Sequence, residues 1–138
     1  MTNNVFMIGW RVGDYYTNKI LNSINTDHSK LCDKHHVTVV YSKTFPKGKL
    51  RMDIDIYGTY GKITDVEVWQ VNGVPYTVAI ISSPQVLDRH DYFTKLGCTY
   101  DHEYRPHITL VKGLDVSKSC QGLIGMVFRY DYEYTQFL

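Results

Sequence analysis

The sequence predicts an α+β protein built mainly from antiparallel strands, and three observations support this fold class. Most of the 138 residues fall into short runs of β-branched and aromatic side chains separated by turn residues. Two segments instead place apolar residues at helical spacing. The order is strand, helix, several strands, helix, strands, without the regular alternation that a parallel sheet requires.

The N-terminal part begins with a strand at Val5–Val12, which a helix follows. Asp14 is a good N-cap residue for that helix. Apolar residues then recur at helical spacing as far as about Asn25: Tyr16, Ile20, Leu21 and Ile24. The next strands, separated by Pro-Lys-Gly, Tyr-Gly and Asn-Gly turn residues, are His35–Ser42, Met52–Thr59, Ile63–Val71 and Tyr76–Ile81.

The second helix begins at Ser83-Pro84, where the hydroxyl is expected to cap the helix and proline fits the first turn. Gly97 is expected to end it. Two strands follow, at about His107–Lys112 and Gly122–Tyr134. Because no linker-like tract divides the chain, residues 1–138 are predicted to form a single domain.

Composition narrows the possible partners. The net charge of +1 argues against a long nucleic-acid duplex, since duplex binding needs a broad basic surface. Three separated cysteines without a Cys-x-x-Cys pair favour reduced thiols over a disulfide framework or a zinc site. The first ten residues do not resemble a signal peptide, and the apolar runs are too short to span a membrane. A cytoplasmic protein without a membrane partner is therefore predicted.

One short pattern occurs twice and is the most informative feature of the sequence. The first copy is His36-Val37-Thr38-Val39-Val40, and the second is His107-Ile108-Thr109-Leu110-Val111. Residues i and i+2 of a strand project from the same face, so each copy places an imidazole beside a hydroxyl. Two such strands side by side would surround one small volume with two histidines and two threonines.

That set of side chains suits the cleavage of a phosphodiester. A neutral imidazole takes a proton from the attacking oxygen, and a protonated one gives a proton to the leaving oxygen. Threonine hydroxyls donate to the non-bridging oxygens and stabilise the developing charge. No metal or other cofactor is needed. One copy alone would be a weak signal, and the alternative is that both histidines are ordinary strand residues bonded to a neighbour.

The segments around both copies resemble phage 2H phosphoesterases, of the superfamily that includes the LigT-type RNA ligases. The first is Lys34-His35-His36-Val37-Thr38-Val39-Val40-Tyr41. The second comprises Leu87, Arg89-His90, Leu96-Gly97, Tyr100-Asp101, Tyr104 and Pro106-His107-Ile108-Thr109-Leu110. The length and the aromatic content are most similar to the anti-CBASS nuclease branch.

The resemblance implies a bilobal, pseudo-twofold fold with two mainly antiparallel sheets, each with a helix and one His-x-Thr strand lining a central groove. It implies His36, Thr38, His107 and Thr109 as catalytic residues that cleave 3′–5′ bonds in cyclic di- or trinucleotides without metal. His35 has no threonine at +2 and is interpreted as structural or solvent-facing, like His28, His90 and His102.

Several other residues are candidates for substrate binding. The resemblance suggests Trp10 and Trp69 as base-stacking side chains, with core positions as the alternative. It also suggests a late carboxylate, Glu133, whose alternative is a solvated strand face shared with Asp131. Tyr104, held extended before Pro106, is expected at the groove edge. A basic loop is a further candidate for contacting phosphates, or is only solvated: Lys43, Lys47, Lys49 and Arg51.

Three functions remain open from the sequence. The leading one is a hydrolase that opens cyclic oligonucleotide signals. The second is an RNA-end phosphodiesterase acting on 2′,3′-cyclic phosphates with the same chemistry. The third is a non-catalytic sponge that sequesters the nucleotide. Two paired acid–base groups argue against the sponge, because binding alone does not require them.

Overall fold

The computed structural model describes residues 5–26, 28–44, 51–98 and 103–138, and gives only the backbone of His28. Its strands and α-helices are β1 (Phe6–Val12), α1 (Asp14–Ser23), β2 (His36–Ser42), β3 (Tyr60–Val71), β4 (Val74–Ser82), α2 (Pro84–Lys95), β5 (His107–Lys112) and β6 (Val127–Phe137). Short 3₁₀ turns lie at His28–Lys30 and Gln121–Leu123. Both predicted helices are present, and so is each predicted strand except Met52–Thr59. The bounds differ from the predicted ones by a few residues.

The strands form one antiparallel sheet in the order β2-β1-β6-β3-β4-β5. The prediction of a bilobal fold with two sheets was therefore wrong. The long strand β6 joins the two halves, because its first residues pair with β3 and the rest of it pairs with β1. Tyr60, for example, lies opposite Arg129, whereas Phe6 lies opposite Phe137. Sequence periodicity predicts that a segment is a strand, but it does not predict which strands will pair with it.

Two predicted turns have the backbone geometry that their residues favour. Asn72 and Gly73, with φ of 52° and 78°, join β3 to β4 in a tight hairpin whose last pair is Val71 with Val74. Gly97, with φ of 99°, follows the end of α2. A left-handed φ suits glycine at that position because it has no Cβ to clash with the helix carbonyls.

Three local predictions were wrong. Residues 52–59 form turns rather than a strand, since the Tyr57 amide donates to Asp55 Oδ1 and the Thr59 amide donates to the Ile56 carbonyl. The N-cap position of α1 is Gly13, and Asp14 is its first helical residue. The Ser83 hydroxyl does not cap α2, because it donates to the Tyr60 carbonyl of β3.

The middle of β6 does not alternate as predicted. Trp10 of β1 lies opposite Glu133, and Val12 lies opposite Tyr130, so β6 contains one extra residue in this stretch. Such a bulge shifts the side-chain alternation by one. Glu133 and Tyr130 therefore both enter the core, and the alternative interpretation, in which Glu133 lies on a solvated strand face with Asp131, was wrong.

The hydrophobic core lies on one face of the sheet, here called the core face, which the helices help to cover. Apolar strand residues and apolar helix residues belong to one buried cluster that includes Ile8, Val37, Ile108, Ile20 and Phe93. The helix α2 packs on β2, although it lies between β4 and β5 in the chain. It thereby connects the two halves of the sheet.

Candidate active site

The two His-x-Thr strands have the predicted alternation. In β2, Val37 is fully buried, while His36 and Thr38 are only partly buried. In β5, Ile108 is fully buried, while His107 and Thr109 are partly buried. Each strand thus turns a valine or isoleucine into the core and presents its histidine and threonine on the opposite side, called here the histidine face.

The fold brings these two strands together although they occupy opposite ends of the strand order. β2 and β5 contact each other directly, which requires the sheet to curve until its two edges meet. The segment before each strand also bonds to the other strand. The Cys32 amide donates to the Leu110 carbonyl of β5 at 3.0 Å, and the Tyr104 hydroxyl donates to the Thr38 carbonyl of β2 at 2.6 Å.

These reciprocal bonds hold both edge strands in register with each other. On β2, the Val39 carbonyl accepts a further bond from His90 Nδ1 of α2 at 2.6 Å. The His90 ring stacks on Tyr104, with ring centroids 3.7 Å apart and planes 4° from parallel. The described contacts of Tyr104 are structural, and its predicted place at the edge of a substrate groove stays a prediction. His90 is buried and likewise has a structural contact, as expected from the sequence.

His107 lies in a cluster of aromatic and charged side chains. Its Nδ1 is 2.9 Å from the Arg105 carbonyl, which can only accept, so Nδ1 carries the hydrogen and Nε2 is the nitrogen that exchanges a proton. The Trp69 ring lies against it at 4.4 Å between centroids. Glu67 accepts from the Trp69 indole at 3.0 Å and from both terminal nitrogens of Arg105 at 2.8 and 2.7 Å.

The two bonds from Arg105, followed by the bond from Trp69, lower the pKa of Glu67 to about 2. Glu67 is therefore a carboxylate at any pH near neutrality, and the guanidinium of Arg105 balances its negative charge. The π face of an aromatic ring such as Trp69 attracts a positively charged imidazole. Trp69, which was suggested from the sequence as a base-stacking side chain, is partly exposed beside His107.

His36 has a different electrostatic environment, which favours its neutral form. Its pKa is lowered first by burial and then by the positive charges of His107, Arg11 and Lys112. A hydrogen bond to the Lys34 carbonyl opposes this effect only in part. A positive charge on His107 is thus one of the causes that favour a neutral His36.

Tyr134 is a residue of this site that the sequence did not single out. Gly9 pairs with Thr38 on one side and with Tyr134 on the other, and a Cβ on Gly9 would lie only 2.7 Å from Tyr134 Cζ. The absence of a side chain at Gly9 therefore lets the tyrosine ring lie across β1 towards His36, at 6.2 Å between ring centroids. Burial raises the pKa of the Tyr134 hydroxyl. In the sequence Gly9 lies between Ile8 and Trp10, which gives no signal of a contact with Tyr134.

The two threonines have different surroundings. The Thr38 hydroxyl is 3.7 Å from the sulfur of Met7 in the adjacent strand, a weak interaction that a phosphate oxygen can replace. Thr109 and His36 both line a cavity of about 590 Å³, so one residue from each motif faces the same space. That volume is in the range of roughly 300–1,000 Å³ that small-ligand sites occupy.

Trp10 and Glu133, the other two suggested substrate contacts, lie inside the core. Trp10 is 2% exposed and donates its indole hydrogen to Glu133 at 3.0 Å. The Glu133 carboxylate also forms a buried ion pair with Arg89, at 2.8 and 2.9 Å, and accepts from the Ile54 amide at 3.1 Å. All of these bonds are internal to the protein, and a contact of either side chain with substrate stays a prediction.

The remaining predicted residues contribute little here. His35, which was interpreted from the sequence as structural or solvent-facing, is buried at 1% exposure. Of the basic loop, Lys43 and Arg51 are exposed, while Lys47 and Lys49 lie outside the described residues, as does His102. In the described ranges, no group of three or more His, Cys, Asp or Glu side chains could hold a metal ion. Metal independence stays a prediction. None of the described helices is long and apolar enough to cross a membrane.

The fold and site define a class of protein in which an antiparallel sheet curves to bring two His-x-Thr edge strands to one cavity. Comparison with known proteins gives the family. The family model described as "Anti-CBASS protein Acb1" matches residues 18–135, a span that contains both motifs. The chain therefore belongs to the Acb1 family.

Individual relatives agree with this assignment. An anti-CBASS protein Acb1 of Acinetobacter phage Ac42 is 32% identical over 109 residues, which cover 75% of this chain and 69% of the relative. The Acb1 protein of Vibrio phage KVP40 is 33% identical over 82 residues, covering 56% and 50%. That of Yersinia phage phiR1-RT is 31% identical over 87 residues, covering 62% and 55%. The matched segments thus span between half and somewhat over two thirds of the relatives' own lengths.

Proposed function

We propose that this chain is a hydrolase that cleaves phosphodiester bonds in small cyclic oligonucleotides by two-histidine chemistry. The observation that carries the proposal is the contact between β2, which bears His36, and β5, which bears His107, where the curved sheet brings its two edges together. Similar chemistry occurs in the 2H phosphoesterases, and this likeness rests on the two His-x-Thr motifs alone.

The surroundings of the two histidines suggest which one is the base. His36, with its lowered pKa, is suited to accept the proton of the attacking water or ribose hydroxyl. His107, beside Trp69 and the Glu67 carboxylate, is suited to be the imidazolium that donates its Nε2 hydrogen to the leaving oxygen. One proton enters the site on the nucleophile and one leaves on the product oxygen.

The other side chains bind and orient the phosphate. Thr38 and Thr109 are placed to donate to its non-bridging oxygens, which holds the phosphorus in line between the two imidazoles. Arg11, on the same face as His36, adds positive charge where the transition state accumulates negative charge. Trp69 is the partly exposed aromatic ring on which a base can stack.

The biological role follows from the family. Its phage members are named anti-CBASS proteins, and we propose that this chain likewise counters that host defence by removing a cyclic oligonucleotide signal. Such a role needs only a diffusible small substrate. It is compatible with a net charge of +1, which is too small for a broad duplex-binding surface.

A cleavage assay in EDTA tests the chemistry. Purified protein is given cyclic di- and trinucleotides and, separately, an RNA ending in a 2′,3′-cyclic phosphate. His36→Ala and His107→Ala are each expected to lower the rate at least about 10²-fold while the fold is retained. Thr38→Ala and Thr109→Ala are expected to cost less. Thr64→Ala, on an exposed part of β3, is the matched control.

The outcomes separate the three candidate functions. Turnover of cyclic oligonucleotides that is lost in the histidine variants supports the proposal. Cleavage of the RNA end alone keeps the chemistry but makes the protein an RNA-end phosphodiesterase. Tight binding without turnover makes it a sponge. Full activity in either single histidine variant would refute the paired mechanism.

A further inference from the structure

A group of lysines lines the cavity beside the two His-x-Thr strands, and the proposed chemistry does not use them. The cavity contains His36 and Thr109 together with Lys30, Lys34 and Lys112. All three lysines are exposed. They come from two elements, because Lys30 and Lys34 belong to the segment before β2, whereas Lys112 ends β5.

The folded backbone brings these positive charges together. Leu31 forms a bridge with Val111 of β5, which carries the segment before β2 across to the far edge strand. Lys30 Nζ then lies 3.7 Å from the point where a Cβ on Gly113 would be, directly after Lys112. The bridge between Leu31 and Val111 thus brings lysines from distant parts of the sequence to the same cavity.

These charges have no ion-pair partner in the part of the chain that the structure describes. Asp33 is the acidic residue among those that line the cavity. Like charges that share a cavity repel one another, and a bound anion removes that repulsion. In the proposed chemistry the reacting phosphate binds at His36 and Thr109, which leaves the three lysines available for a second anionic group.

We infer that Lys30, Lys34 and Lys112 form a subsite for the phosphate that is not being cleaved, and that this subsite supplies a separable part of the affinity for the ligand. The inference rests on the proposed function and adds a binding subsite to it. A cyclic dinucleotide has one phosphate at the histidines and another on the opposite side of its ring. A 2′,3′-cyclic mononucleotide has only the reacting phosphate, and it gains nothing from the lysines.

The test compares two ligands that share the same base. Cyclic di-AMP has two phosphates and 2′,3′-cyclic AMP has one. Lys30→Gln/Lys34→Gln removes two positive charges and spares Lys112, whose charge acts directly on His36. Lys95→Gln, in the last turn of α2 and outside the cavity lining, is the control. Dissociation constants are measured by calorimetry and KM by the cleavage assay, at low and high salt.

The double variant is expected to weaken cyclic di-AMP binding about 10-fold, which corresponds to two exposed ion pairs of moderate strength. The ratio of the two dissociation constants should fall with it, and the salt dependence of cyclic di-AMP binding should become shallower. The control should bind like the unmodified protein. Equal weakening of both ligands, or no weakening of either, overturns the inference.

The result is separable from the proposed function. If turnover depends on His36 and His107 but the lysine variant keeps its preference for two phosphates, the inference alone fails. If lysine-dependent binding is present but no ligand is cleaved, hydrolysis fails and the second phosphate site stands. If neither ligand binds, both fail.

Discussion

The buried ion pair between Arg89 and Glu133 gives the sharpest test of how this structure assigns roles to residues. The sequence suggested Glu133 as a contact to substrate, whereas the structure encloses its carboxylate in the core. Arg89 binds it with two hydrogen bonds of 2.8 and 2.9 Å, and Trp10 and the Ile54 amide add bonds of 3.0 and 3.1 Å. The side chains of Arg89 and Glu133 are 8% and 0% exposed.

Glu133→Ala removes all four bonds at once and is expected to be strongly destabilising. It leaves a guanidinium in the core without its counter-ion, which alone costs about 3–5 kcal/mol. The unpaired Trp10 and Ile54 hydrogens add to that cost, although part of it relaxes as the core rearranges. Because a domain of this size is stabilised by about 5–15 kcal/mol, the loss is a large share of the total.

Urea unfolding followed by tryptophan fluorescence measures the change, with the free energy extrapolated to water. Asp131→Ala, two positions away on β6 and partly buried, is the matched control and should cost below about 1 kcal/mol. Arg89→Met/Glu133→Gln should recover at least about 1 kcal/mol relative to Glu133→Ala, because it removes the unpaired charge. A Glu133→Ala protein of unchanged stability that no longer binds nucleotide would refute this reasoning and restore the ligand role.

Two further predictions concern pH. If His36 is the general base, kcat/KM falls at low pH as its ring becomes protonated. Because the pKa of His36 is lowered, the acid limb of the pH profile should lie below the ordinary histidine value of 6.5. An acid limb above that value contradicts the assignment. Burial, followed by the charge of Arg11, lowers the pKa of His35 to about 4. His35 is therefore protonated at a higher pH in the unfolded chain than in the folded protein. The free energy of unfolding is highest above pH 6.5 and decreases by about 3 kcal/mol as the pH falls towards 4. Urea unfolding at a series of pH values measures this effect. Between pH 6.5 and 4, the His35→Leu variant should lose about 3 kcal/mol less than the unmodified protein. The same pH dependence in both proteins would contradict the prediction.

Local features were largely predictable because they depend on neighbouring residues. The alternation of His36, Val37 and Thr38 and of His107, Ile108 and Thr109 was sufficient to predict two strands with a histidine and a threonine on one face. The Asn72-Gly73 hairpin and the glycine after α2 follow from backbone conformations that few other residues adopt. A serine before a helix was less informative, since Ser83 uses its hydroxyl for a distant carbonyl instead.

Only the tertiary structure decided how these parts are arranged. Whether the strands form one sheet or two depends on β6, which is long enough to pair with both β1 and β3, and pairing is a contact between distant residues that periodicity does not encode. The bulge in β6 then turned Glu133 into the core, and the close approach of Tyr134 over Gly9 added a ring to the site. The sequence by itself determined that each of the two strands presents a histidine and a threonine on one face. The curvature that brings the two edge strands together arises from packing and long-range hydrogen bonds, and it brings His36 and Thr109 to one cavity.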